Sequence, residues 1–237
     1  MEPAVHIDHL RRDSALLLAA HAADPEAAVP SCPGWDRTAL LGHVAGVHAW
    51  NRAQVEAGPA DRIRKGATPK PPEGEELPGW FEANAAAAAD ALAGMDTSVP
   101  WPTWAGPQPG TFYPRRMAQE TAVHRWDAIG GPIDASLAVD GIDEMLELFA
   151  KVIPGDTLGG ATGTIHLHAT DTDGEWLVRF DPEGITFQHG HAKGDGALRG
   201  TAEDLLLWTW NRRPIDDRFE VFGERALLDA WTTSVRF

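Results

Sequence analysis

Apolar residues recur at helical spacing through the first half of the chain and at alternate positions in much of the second. Ile7, Leu10, Ser14, Leu17, Leu18 and His21 predict a first helix over about 5–22, ending before Asp24-Pro25. The stretch VPSCPGWDRTALLGHVAGVHAWNRAQVEAG follows, with a Pro/Gly-rich lead-in, a cap at Asp36 and a helix to about Ala57, where Gly58-Pro59 stops it. On that helix Leu40, His43, Val47 and Trp50 form a stripe that places His43 on the buried side. Gly58 to Pro78, rich in Pro, Lys and Glu, reads as a long exposed loop. A third helix over Trp80 to Met95 carries Phe81, Ala85, Ala88, Leu92 and Met95 on one face. Between Ser98 and Pro114, five prolines and two tryptophans predict an irregular segment, a wall or lid. A fourth helix runs from Arg115 to Gly130, so the first ~130 residues read as a four-helix bundle.

The pattern changes after Gly130-Gly131-Pro132. A helix over Leu137 to Val152 is followed by period-two segments at Gly163–Ala169, Glu175–Phe180 and Gly184–Gln188. Turn signals at Asp173-Gly174 and Asp181-Pro182-Glu183-Gly184 make these an antiparallel meander. Ala197 to Gly200 adds a short strand, and Thr201-Ala-Glu-Asp204 has capping-box spacing ahead of the helical run LLLWTW. A strand near Arg218–Phe222 and a helix over Glu224–Trp231 close the chain. The expectation is an α+β protein, with a helical bundle over 1–132 and a small α+β domain over 136–237.

Composition narrows the class of partner. A chain of 237 residues that is 43% hydrophobic can bury a core without staples. Its formal net charge of -15 argues against nucleic acid or an anionic membrane surface as partner, and the densest basic run, Arg62 to Lys65, sits in the long loop. No apolar stretch approaches the ~18 residues that span a bilayer, and the start has no secretory pattern. One cysteine, Cys32, excludes intramolecular disulfides and two-cysteine metal motifs, so a soluble cytoplasmic protein, monomer or homodimer, is expected.

The candidate chemistry lies on the fourth helix. Four residues turn the helix by about 400°, so Glu120 and His124 leave the same face within about 40° of each other. A carboxylate and an imidazole turned into an interior need a partner. Either they pair with each other and their neighbours, or they hold a divalent cation with His43 as third ligand. Three protein ligands leave a coordination position open, the arrangement of a catalytic site. Arg116 lies one turn before Glu120 and is a candidate for a substrate carboxylate, or an ion-pair partner of Glu120. Asp127 either orients a ligand or caps a neighbouring helix. Cys32 reads as a small buried residue beside the Pro-Gly-Trp turn, and His48, about 140° round from His43, points elsewhere. His166 and His168 on one strand face, with His189 and His191 across the meander, raise the question of a second metal, but a polar outward sheet face accounts for them.

The segments CPGWDRTALLGHVAG and MAQETAVHRWDA resemble the two signature helices of the mycothiol-dependent maleylpyruvate isomerase family, a branch of the DinB-like metalloenzymes of actinobacteria. The similarity runs over nearly the whole chain; GALRGTAEDLLLWTWNRR resembles part of the family's small, sterol-carrier-like C-terminal domain. The resemblance implies a divalent metal, usually zinc, held by His43, Glu120 and His124, with mycothiol as thiol cosubstrate. It implies a further arginine from the C-terminal domain, for which Arg212 or Arg213, at the end of the LLLWTW helix, is the candidate. The implied activity is thiol addition to a small electrophile, with isomerisation of a cis double bond or S-transfer as outcome. A DinB-like hydrolase needing no thiol and a non-catalytic small-molecule-binding or metal-responsive module are the alternatives.

Overall fold

Helix ends are set by local chemistry that the sequence carries openly. In the structure, a computed structural model describing residues 1–64, 66–149 and 160–234, the Asp36 side chain accepts the Ala39 N–H at 2.8 Å and starts helix α2, Arg37–Ala57. Gly58, at φ 84°, ends it. Helix α1 spans Pro3–Ala23, α3 Leu77–Gly94 after a single 3-10 turn at Gly74–Glu76, and α4 Phe112–Ile129. These four helices pack on one another, α1 against α4 and α3, and α2 against α3 and α4. Leu17, Leu40, Leu41, Val44, Ala45, Leu77 and Phe81 share the core between them. Arg37 ties the helix ends together: its guanidinium donates to the carbonyls of Ala20, at the end of α1, and Ala128, at the end of α4. Carbonyls in a last helical turn lack intrahelical partners, and a cation there is doubly favourable.

The buried stripe of α2 differs from the expected one. Leu40, Leu41, Val44, Ala45, His48 and Ala49 are buried, whereas the His43 side chain is 38% exposed and Val47 and Trp50 are half-buried. The helix faces both α3 and α4, so two adjacent positions per turn are covered and the stripe runs through the 40/41, 44/45 and 48/49 pairs. His48 takes the interior place expected of His43. Its Nε2 lies 2.9 Å from Thr121 Oγ1 and its ring packs on Phe81.

The proline-rich stretch is ordered rather than irregular. Strands β1, Pro100–Thr103, and β2, Gly106–Pro109, form an antiparallel hairpin in which Pro100 faces Pro109 and Pro102 faces Pro107. Antiparallel pairs alternate between bonded and non-bonded, so prolines concentrated in every second pair sacrifice no ladder donor. Tyr113 O–H donates to Pro102 O at 2.6 Å, and burial raises the Tyr113 pKa to about 12. This anchors the hairpin at the first turn of α4, about two turns from Glu120.

The chain divides into two compact units, Met1–Gly131 and Pro132–Phe237. In the second, α5 spans Ala135–Glu144 and continues as a π-helical turn over Met145–Phe149; residues 150–152 of the expected helix, like Lys65 of the basic run, lie outside the described residues. Strands β3 Gly163–Ala169, β4 Glu175–Asp181, β5 Gly184–His189, β6 Gly196–Gly200 and β7 Glu220–Gly223 form one sheet in the order β5-β4-β3-β6-β7. The meander is as expected, and β6 joins it parallel to β3. Thr201 caps α6, Ala202–Thr209, by accepting the Asp204 N–H, and α7 spans Arg225–Ser234. One face of β3 and β4 buries Ile165, Leu167, Trp176, Val178 and Phe180. Trp231 of α7 stacks between Phe180 and Trp208 of α6, which accounts for part of the tryptophan content. No helix of the described residues is long and apolar enough to cross a membrane.

Two stability outcomes follow from the buried polar groups. Asp13 of α1, fully buried, accepts from Arg125 Nε of α4 at 3.3 Å, and Arg125 also donates to Gly130 O at 2.7 Å. Asp13→Ala removes the buried carboxylate beside that guanidinium and is expected to cost about 3–5 kcal/mol in chemical denaturation, whereas Asp90→Ala, which removes the exposed Arg11–Asp90 pair, is expected to cost under ~1 kcal/mol. His48 is held neutral: burial lowers its pKa to about 4, with Glu120 pulling upward and His124 pushing further down. An unfolded ring protonates below about pH 6.5 while the folded one resists until about 4, so its contribution to stability is present above pH 6.5 and lost as pH falls. Relative to wild type, His48→Gln should therefore gain up to about 3 kcal/mol between pH 6.5 and 4, as read from denaturation curves across that range.

Candidate functional site

The turn before α2 shapes one side of the site. Trp35 N–H donates to Cys32 O at 3.0 Å, closing a turn with Pro33 and Gly34 at its centre, and Gly34 has φ 85°. Pro followed by a residue of positive φ is the type II pattern, which explains why Pro-Gly stands here. The bridge between Ala28 and Asp36 fixes the base of the loop. Ser31 and Cys32 are thereby delivered to α4, and the Trp35 ring sits 5.1 Å from that of His43.

On α4, Glu120 occupies the centre of the constellation. Its Oε1 lies 3.3 Å from His43 Nε2 and 3.3 Å from His124 Nε2, while Arg116, one turn earlier, donates to Oε2 at 2.8 Å. The two imidazole rings meet edge to face at 5.0 Å. His43, Glu120 and His124 thus offer three ligand atoms within 4.8 Å of one another, from two helices. Exposure is graded across the set: His43 38%, Glu120 18% and His124 10% by side chain. The departure of His43 from the buried stripe is what opens the cluster on one side.

A second layer fixes His124. Its Nδ1 lies 2.9 Å from Asp127 Oδ2, and Asp127 in turn accepts from Ser31 Oγ at 2.6 Å and from Cys32 Sγ at 3.6 Å. With Nδ1 facing the Asp127 carboxylate as donor, Nε2 is the ring nitrogen turned toward Glu120 and His43. Of the two roles open to Asp127, orienting His124 is the one the structure gives it. The contacts of Ser31, Cys32 and Trp35 are not visible in the sequence pattern, which reads Cys32 only as a small buried residue; the Pro-Gly turn immediately before a helix cap is the signal that could have pointed to them.

Electrostatics in this cluster are strong. Burial works against the Glu120 charge, yet hydrogen bonds to His124 and His43 and the charges of His124 and Arg116 hold its pKa well below the ordinary value. Burial likewise disfavours a charged His124, but Asp127, Cys32 and Glu120 together raise its pKa well above the ordinary value. Both shifts express one fact: Glu120 and Asp127 favour a positively charged His124, and that charge in turn favours the ionised Glu120. The donor set, two imidazole nitrogens and a carboxylate oxygen with a carboxylate behind one imidazole, fits a divalent cation of the zinc type.

Arg116 is buried, and its guanidinium is engaged with Glu120. Arg212 belongs to the second unit and donates to Trp210 O at 3.1 Å. His48, bonded to Thr121, stands apart from the three-residue cluster. Cys32 forms its own close group with His124 and Asp127 on the far side of the His124 ring.

The family description "Mycothiol maleylpyruvate isomerase N-terminal domain" matches residues 7–129, and the corresponding C-terminal domain description matches residues 136–230. Two solved structures share the fold over the full chain. A histidine-to-alanine variant of the mycothiol-dependent maleylpyruvate isomerase superposes with a TM-score of 0.67 at 13% identity, covering 100% of this chain and 98% of that one. The unsubstituted mycothiol-dependent maleylpyruvate isomerase gives 0.64 at 14% identity, with the same coverage. No curated protein sequence matches significantly. With a family match across more than half its length, the chain belongs to the mycothiol maleylpyruvate isomerase family.

Proposed function

We propose that this protein is a zinc-dependent enzyme that activates a low-molecular-weight thiol, mycothiol, for addition to a small electrophile, with isomerisation or S-transfer as the outcome. The observation that carries the reading is the placement of Glu120 Oε1 at 3.3 Å from both His43 Nε2 and His124 Nε2, with His43 exposed toward solvent. His43, Glu120 and His124 would hold the cation. A cation of this kind lowers the pKa of a coordinated thiol and keeps the sulfur as a nucleophilic thiolate at neutral pH.

The chain's own groups prepare that chemistry. Arg116 takes up Glu120 Oε2, leaving Oε1 to the two imidazoles, so in this reading it orients the ligand rather than meeting substrate. Asp127 keeps a proton on His124 Nδ1 and the opposite nitrogen free to ligate. Trp35 provides an apolar wall beside His43. For a cis alkene conjugated to a carbonyl, thiolate addition converts the double bond into a single bond that rotates. Loss of the sulfur then yields the trans isomer and returns the thiol. A transferase would retain the carbon–sulfur bond, and both outcomes use the same three ligands. The family's namesake substrate belongs to this class of electrophile.

The test is a screen of zinc-loaded protein against activated alkenes and other electrophiles, with and without thiol. Turnover should require thiol and fall at least ~100-fold in His43→Ala and Glu120→Gln, roughly the loss of a main activating interaction. Thiol-independent hydrolysis, or unchanged rates in both variants, would refute the proposal. Asp127→Asn should weaken zinc affinity about 10–100-fold by competition against a chromophoric chelator. In metal-free protein the same substitution should lower the His124 pKa, since the Asp127 hydrogen bond is a principal cause of its elevation. Imidazole NMR shifts followed across pH report that value.

A further inference from the structure

The outward face of the second unit's sheet carries a second group of metal-type donors. His166 and His168 occupy alternate positions of β3, and Glu175 stands directly opposite His168 on β4. The chain returns along β5, and Gly190 N–H donates to Glu175 O at 3.0 Å; Gly190 then adopts φ 112°, and His191 follows. Three adjacent stretches of backbone thus converge on one carboxylate. Glu175 Oε2 lies 2.7 Å from His191 Nδ1, 3.0 Å from His166 Nε2 and 3.4 Å from His168 Nδ1. The three rings lie 5.4–6.4 Å apart with interplanar angles of 78–88°, each turned edge-on to the others.

A solvated polar sheet face does not account for this arrangement. His166 is 6% exposed, and its Nε2, although 3.0 Å from Glu175, lacks the angle of a hydrogen bond and has no other partner. A buried ring nitrogen without a partner is costly. One carboxylate oxygen cannot accept from three imidazoles in good geometry, and three protonated rings around a single negative charge would repel one another. A cation at the point where the lone pairs converge resolves both difficulties. Donors 2.0–2.1 Å from zinc form a tetrahedron with edges of about 3.3 Å, and the three separations from Glu175 bracket that value. A depression of about 410 Å³ bordered by His168, Glu175, His189 and His191 gives access from solvent. His189 itself turns away, toward Asp143 at 3.5 Å.

We propose that His166, His168, Glu175 and His191 form a second divalent-cation site, of the zinc type, in the C-terminal unit. Four protein ligands complete a tetrahedron, so the site is structural: it clamps β3, β4 and the segment after β5, and leaves no position for substrate. The proposal is independent of the cluster on α2 and α4.

The experiment is a zinc titration of chelator-stripped, full-length protein, with stoichiometry read by competition against a chromophoric chelator. Wild type should bind two equivalents with sub-micromolar affinity. The His43→Ala/Glu120→Gln variant, whose second unit is unaltered, should still bind one, and zinc should raise its melting temperature. Adding His168→Ala and His191→Ala to that background should abolish binding and the thermal shift. Zero equivalents in His43→Ala/Glu120→Gln, binding weaker than about 10 µM, or a stoichiometry unaffected by the added substitutions would each overturn the proposal. Because the decisive measurement uses an intact second unit, a folding defect in the quadruple variant leaves it standing, and a failure of the thiol chemistry does not touch it.

Discussion

A carboxylate on the most buried helix of the bundle constrains everything around it. Glu120 stands on α4, where almost every other side chain is covered, and a carboxylate in that setting survives only with partners on all sides. Arg116 satisfies one oxygen from the same helix, and His43 and His124 surround the other. The position of α2 is therefore tied to α4 by polar chemistry as well as by packing, because His43 must arrive at Glu120. One carboxylate thereby links bundle geometry to the electrostatics of the site.

The turn from Ser31 to Asp36 extends that logic. Pro33 and Gly34 reverse the chain, Asp36 begins α2, and Arg37 immediately ties the ends of α1 and α4 through their carbonyls. The same few residues send Ser31 and Cys32 to Asp127, which holds His124. A short motif thus starts a helix, fastens two others and orients a ring on a third. The buried Asp13–Arg125 pair fastens α1 to α4 on another side of the same helix. Tight coupling of this kind over-determines the geometry of the cluster, which rests on caps and buried polar contacts rather than on any one apolar residue.

The second unit divides its labour between the two faces of one sheet. The inner face is aromatic and aliphatic, closed by stacked Trp208 and Trp231. The outer face brings three histidines around Glu175, with His166 buried among its neighbours. Alternation along β3 makes both faces from one strand: Ile165 and Leu167 point one way, His166 and His168 the other.

Helix positions, the meander, the caps at Asp36 and Thr201, and the shared helix face of Glu120 and His124 were legible in the sequence, because each follows from periodicity or from hydrogen bonding within a few residues. The α+β class was legible for the same reason. Long-range placement was not. The sequence pattern put His43 in the buried stripe of α2, but which of two overlapping stripes is covered depends on the directions of α3 and α4. The prolines of residues 100–109 looked irregular, since nothing local shows that they fall in alternate cross-strand pairs. The pairing of Asp13 with Arg125, the reach of Asp127 to His124, and the convergence of His166, His168 and His191 on Glu175 join residues far apart in the chain. Local rules fix which way a side chain leaves its own element; only the packing of elements fixes what it meets.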